Sequence, residues 1–123
     1  MPLIADAYFD LALAGIIADS NRLDITSSEA TSFTEARTTF SLGNKASPSL
    51  GAAANGAVNG RRTTVAAITD GTVTGTGTAG FWALTKTTGS VLVATGALAA
   101  TQSVTSGNIF TTAAFDITIA DAT

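Results

Sequence analysis

Arg61–Leu98 reads RRTTVAAITDGTVTGTGTAGFWALTKTTGSVLVATGAL. Its β-branched and aromatic residues are cut by glycine and aspartate into four strand-length runs, Thr63–Thr69, Thr72–Thr78, Phe81–Lys86 and Val91–Leu98. Asp70-Gly71 supplies a turn between the first two, Gly80 leads into the third, and Thr88-Gly89-Ser90 returns the chain into the fourth. Side chains alternate across a strand, so Trp82 and Leu84 share one face of the third run, ending at Lys86, while Phe81, Ala83 and Thr85 share the other. The Trp82/Leu84 face is assigned to the core. Its burial contributes roughly 1.5–3 kcal/mol for each of the two side chains. On the fourth run Leu92, Ala94, Gly96 and Leu98 share a face, and the small Ala94 and Gly96 leave room for the indole. The many threonines suit a strand face that meets water.

The remaining chain extends or covers this sheet. Residues 1–20 form a helical segment: Pro2 suits a first helical turn, and Leu3–Ala18 is rich in helix formers. Ile4, Tyr8 and Leu11 fall on one face, with Gly15 a turn further. Phe9, Leu13 and Ile16/Ile17 fall on a second, and Asp6 and Asp10 make a narrow polar stripe. A helix apolar on most sides is buried on most sides. It either caps one open end of a sandwich or offers its second face to another subunit. Asp19-Ser20-Asn21 ends it. Arg22–Ser28 reads as a half-buried strand, with Leu23 and Ile25 alternating against Asp24 and Thr26. Ser32-Phe33-Thr34-Glu35 has capping-box spacing, and Thr38–Leu42 reads as a short strand. Residues 43–60, with Pro48, three glycines after it and Ala52-Ala53-Ala54, read as an extended arm lying on the domain or on a neighbour. Residues 61–120 form the main sheet. Ala99–Gly107 is a loop or poor strand, Asn108–Thr112 and Phe115–Ala120 are strands, and Ala113-Ala114 between them suggests a bulge. The expected fold is mainly β, an antiparallel β-sandwich or jelly-roll-like single domain spanning 1–123 with an N-terminal α-helix.

Composition narrows the function classes. Hydrophobic residues are 46% and charged residues 12% of the 123, against about a quarter charged in ordinary domains. Such a surface is either covered by neighbours or bland. The net charge of −3 and six basic residues, with only Arg61 and Arg62 adjacent, disfavour nucleic acid as a partner. No apolar run reaches membrane-span length, and Asp6 and Asp10 stand where a secretory signal carries basic residues. There is no cysteine and no histidine. Disulfides, thiolate or imidazole metal sites and Ser-His or Cys-His nucleophiles are therefore impossible within this sequence. Gly75–Gly80 matches GxGxxG, but strand-like Phe81–Leu84 follows where a dinucleotide site needs a helix. The carboxylate pairs Glu29/Glu35 and Asp70/Asp116 have no spacing that fixes glycosidase geometry. Asp70 and Asp116 also lack calcium-loop density. The expectation is a non-enzymatic protein with no cofactor and no metal.

Several runs carry a resemblance. They are Leu42-Gly43-Asn44-Lys45-Ala46, Asn59-Gly60-Arg61-Arg62, Ile68–Ala79, Trp82-Ala83-Leu84, Ala94–Leu98, Val104–Asn108 and Phe115-Asp116-Ile117. Over most of its length the chain resembles small virion structural proteins of tailed bacteriophages. The resemblance implies a capsid decoration (cement) protein on the head surface, or a tail, neck or fibre-adaptor component. Its partners would be the major capsid protein or other virion proteins, with homo-oligomers, a trimer by analogy. The expected contact residues are Ile4, Tyr8 and Phe9 on the helix, Ala52, Ala53, Ala54 and Val58 on the arm, and Arg61 and Arg62, which suit carboxylates on a partner. For the two arginines a solvated strand start is the competing reading. A carbohydrate-binding sandwich is the remote alternative, disfavoured because the chain has one Trp and one Tyr.

Overall fold

The computed structural model describes residues 4–56 and 60–120. The protein is mainly β, with an N-terminal helix packed on a curled antiparallel sheet. In order, the elements are α1 (Asp6–Asp19), β1 (Arg22–Thr26), a short π-helical turn (Glu35–Thr39), β2 (Ser41–Ala46), β3 (Ala54–Asn55), β4 (Arg61–Val65), β5 (Ile68–Val73), β6 (Gly77–Lys86), β7 (Val91–Val104), β8 (Ile109–Thr112) and β9 (Phe115–Ile119). Six strands form one sheet in the order β7-β6-β1-β2-β5-β8, and three form a second in the order β3-β4-β9. One core of Leu23, Ile25, Val65, Ile68, Val73, Trp82, Leu84 and Phe110 draws on both sheets, with Phe115 and Ile117 packed against it.

The first expected strand, Thr63–Thr69, is two strands. β4 belongs to the small sheet and β5 to the large one, and Ala66-Ala67 joins them. The same step recurs on their partners. Val65 pairs with Phe115 and Ile68 with Thr112, so Ala113-Ala114 lies opposite Ala66-Ala67. A two-stranded ribbon thus bends from one sheet into the other at facing Ala-Ala pairs. Small side chains let both backbones turn there without opening the core.

Asp70-Gly71 is not a turn. Both residues lie within β5, and the ladder to β8 is irregular between Ile68 and Gly71. The Phe110 ring lies against Gly71 where a side chain would stand, which keeps this glycine inside the sheet. The turn comes later, at Thr74–Thr76, where the Thr74 and Gly75 amides donate to the Leu42 carbonyl at 2.9 and 3.1 Å. Gly77 and Gly80 of the GxGxxG string then lie within β6. The turn after β6 falls at Thr87–Ser90, with Gly89 at φ +82° and Ser90 at +54°. β7 runs through Ala99–Val104, expected as a loop or poor strand, because Gly77–Ala79 of β6 continues to pair with Gln102–Val104.

β1 is buried on both faces rather than half-buried. Leu23 and Ile25 enter the core. Asp24 and Thr26 point to the sheet's other side, where Ala30 and Ala36 pack on Ala83, with Phe40 and Leu92 beside them. Thr38-Thr39 belongs to that covering segment, so the strand expected at Thr38–Leu42 begins only at Ser41. The Glu35 amide donates to Ser32 Oγ at 3.2 Å, as in a capping box, but the Glu35 carboxylate accepts from Thr31 instead of closing back on Ser32. Asp24 is fully buried. Arg22 Nε and Nη2 each donate to it at 2.7 Å, and Ser41 Oγ donates at 2.6 Å. A buried carboxylate requires that kind of coverage.

Trp82 pairs with Gly96 across the β6–β7 ladder. A Cβ built on Gly96 would stand 2.7 Å from the indole Cζ2. The indole also meets the Phe115 ring at 4.6 Å between centroids, tilted by 34°. Trp82→Ala is therefore expected to cost about 3–5 kcal/mol, and Gly96→Ala about 1–3 kcal/mol through overpacking. Urea unfolding midpoints measure both, and a Gly96→Ala protein as stable as the parent would contradict the close approach.

Candidate functional site: an outward helix face and an open seam

The expected contact residues separate into three environments. On α1, Phe9 and Leu13 are buried, while Ile16 and Ile17 are half-buried. This face rests beside β4 and β7. Phe9 is therefore a docking residue within the chain and is not presented to a partner. Tyr8 and Leu11 are each 67% exposed and Ile4 46%. A Cβ on Gly15 would meet nothing within 4 Å. Sequence spacing had grouped Leu11 with Ile4 and Tyr8, but not among the contact residues, although its exposure equals that of Tyr8.

The arm is more ordered into the fold than an extended segment over 43–60. Gly43–Ala46 belongs to β2, between β1 and β5. Leu50 bridges to Val65, and the Gly51 amide donates to the Thr64 carbonyl at 2.9 Å. Ala54-Asn55 pairs with Arg61-Arg62. Ala52 and Ala54 are exposed and Ala53 is half-buried. Val58 lies outside the described residues.

Arg61 and Arg62 are used within the chain. Arg61 donates from Nε and Nη2 to Asp10 of α1, at 2.7 and 3.2 Å, and from Nη1 to Asn55 at 2.6 Å. The hydrogen bond from Asp10 raises the Arg61 pKa above its ordinary value. The guanidinium thus ties helix, arm and small sheet together. Arg62 Nη1 donates to Asp116 Oδ2 at 2.7 Å, and Thr64 Oγ1 to Asp116 Oδ1 at 2.6 Å, across the β4–β9 ladder. The Thr64 hydrogen bond, with help from Arg62, lowers the Asp116 pKa.

Of the other carboxylates weighed for chemistry, Glu29 is exposed, while Asp70 and Glu35 have partners of their own. Asp70 pairs with Lys45 at 3.0 Å. Glu35 accepts from the Thr31 hydroxyl and amide, which lowers its pKa. Among the described residues no three metal-ligating side chains cluster, and no helix is long and apolar enough to cross a membrane.

A second feature lies where the large sheet curls back on itself. Among the described residues β7 and β8 are its two edges. They face one another across a cavity of about 170 Å³, lined by Trp82, Ala97–Ala100, Gln102 and Thr111–Phe115. Gln102 Nε2 spans the gap to the Thr111 carbonyl at 2.8 Å. The sequence signal for this seam is Ala113-Ala114, expected as a bulge between two strands; it is the step between the two sheets.

No family model, curated protein or solved structure matches this chain.

The Asp116 contacts set a pH dependence. Its folded pKa lies below the unfolded value, so the folded state binds fewer protons through the acid range. The stability it contributes is complete above the ordinary carboxylate range and is lost as pH falls through the lowered folded pKa. Asp116→Asn is expected to be less stable than the parent at neutral pH and to show a flatter acid limb. Unfolding midpoints from neutral to acid pH measure this, and identical acid limbs would mean the β4–β9 ladder does not rely on this carboxylate.

Proposed function

We propose that this protein is a non-enzymatic structural component of a tailed-phage virion, a decoration protein that seats on the head shell. The observation that carries the reading is the outer face of α1. Tyr8 and Leu11 project from a helix whose opposite face is already docked and whose Asp10 and Asp19 are already paired, to Arg61 and to Lys86, and exposed Ile4 stands two residues before its first turn. An apolar stripe on an otherwise anchored helix marks a surface that another protein covers. The resemblance of the sequence to small virion proteins names the partner, the major capsid protein. A patch of three large side chains is small for a lone complex. On a shell, contacts between adjacent copies supplement it, which lowers the affinity each copy must supply. Arg61 and Arg62 leave the contact set in this reading, since Asp10, Asn55 and Asp116 occupy them.

The test is reconstitution of the protein onto purified heads that lack it, with copies per shell counted by quantitative mass spectrometry against the major capsid protein. The parent is expected at a copy number that is a simple fraction or multiple of the capsid protein's. Tyr8→Glu/Leu11→Glu is expected to reduce occupancy by at least about tenfold with an unchanged unfolding midpoint, because both positions are exposed. A handful of copies retained only on tails would reassign the protein to the neck or tail. Full occupancy by the double variant would remove the helix face from the contact.

A further inference from the structure

We infer that the seam between β7 and β8 is a strand-accepting site: an extended, uncharged peptide segment of a partner chain adds along β7 and inserts one apolar side chain into the cavity over Trp82. This does not rest on the helix face or on the virion reading.

Three features of the strands define the seam. The β6–β7 register pairs Ala79 with Gln102 and Phe81 with Ala97, so Leu98–Thr101 of β7 lie opposite Gly80 alone. Four residues facing one make a large irregular bulge that takes Leu98–Thr101 out of the β6 ladder, and bulges re-aim or end pairing. The bulged residues belong to an edge strand, whose backbone donors and acceptors are the usual template for an added strand. Across the gap stands Ala113-Ala114, the step between β8 and β9, where the partner strand has also left its ladder.

The cavity between these walls defines the side chain. Its lining contains no charged residue, so a charged group entering it would lose hydration with nothing to replace it. Trp82 and Phe115, in contact at 4.6 Å, give it aromatic walls. Its volume of about 170 Å³ resembles the ~150 Å³ apolar cavity that takes up benzene, enough for one aromatic or branched aliphatic side chain.

The polar partner is Thr112. It lines the cavity and is 8% exposed, and its Oγ1 is buried with no hydrogen-bond partner. Buried hydroxyls are normally satisfied. Turned about χ1 toward the cavity, this one would be satisfied by an incoming main-chain amide or carbonyl at the seam. Unpaired strand edge, apolar hole and orphan hydroxyl together fit a peptide better than a small molecule, because only a peptide answers all three.

Trp82 is the chain's one tryptophan, so its emission reports occupancy. The probe is the blocked peptide acetyl-Thr-Ala-Phe-Ala-Thr-amide, titrated into the full-length protein, with the Phe→Asp peptide and benzyl alcohol as comparison arms. The Phe peptide is expected to give a saturable change in Trp82 emission and to slow amide exchange over Leu98–Thr101, and the Asp peptide to give neither. Thr112→Val is expected to weaken peptide binding by about tenfold while leaving the unfolding midpoint equal or higher, because an unsatisfied buried hydroxyl is removed. Ala113→Phe, at an exposed position on the cavity wall, is expected to abolish binding. The proposal is overturned by an absence of saturation at millimolar peptide, by peptide binding that survives Ala113→Phe, or by benzyl alcohol saturating the signal where the peptide does not.

Discussion

The structure depends on one packing constraint, the indole of Trp82 held between the backbone of Gly96 and the ring of Phe115. Gly96 belongs to β7 of the large sheet and Phe115 to β9 of the small one, so a single side chain on β6 fixes the spacing within one sheet and the distance to the other. The indole can lie against β7 only because position 96 has no Cβ. Phe110 against Gly71 repeats the device at the opposite edge. Both large rings sit where a glycine on the neighbouring strand makes space, and the sheet curls around them.

Curling has a consequence at the edges. A six-stranded sheet that bends far enough brings its first and last strands face to face, and here β7 and β8 meet without completing a ladder. Closure would remove both edges, but the bulge over Leu98–Thr101 and the departure of β8 into β9 leave the two strands out of pairing reach. The side chain of Gln102 spans what backbone bonds do not. The cavity therefore follows from the strand-switching ribbon. The Ala66-Ala67 and Ala113-Ala114 steps that join the sheets also keep the large one from closing.

Much of this was legible in the sequence. The alternation in Phe81–Lys86 placed Trp82 and Leu84 inward, and the small residues of Val91–Leu98 marked where the indole would lie. The helix was legible too, within a few residues of its ends. What misled was turn chemistry taken at face value. Asp-Gly at 70–71 has the composition of a turn, yet Phe110, distant in sequence, needed the bare face of Gly71 inside a strand. Strand switching was hidden for a related reason. Thr63–Thr69 is a continuous strand-forming run, and its division depends on which partner each half finds. The arginines were the opposite case. Adjacent Arg61 and Arg62 have the pattern that suits a partner's carboxylates, while the carboxylates they meet, Asp10 and Asp116, lie about fifty residues away in the same chain. Burial of Phe9 was decidable only once the helix's docked face was known.

Those internal pairs bear on what kind of recognition remains. The chain has six basic residues, and each is engaged within the fold: Arg22 with Asp24, Lys45 with Asp70, Arg61 with Asp10, Arg62 with Asp116, Lys86 with Asp19, and Arg37 with the Thr85 and Thr87 hydroxyls. With its cations occupied, the molecule has little charge to steer a partner from a distance. The outer helix face and the seam are both uncharged at their centres and offer apolar side chains or unpaired backbone. Association through either depends on shape and burial, which salt screens weakly, in contrast to binding built on exposed ion pairs. Contacts of that kind would be slow to form and would hold through buried area rather than charge.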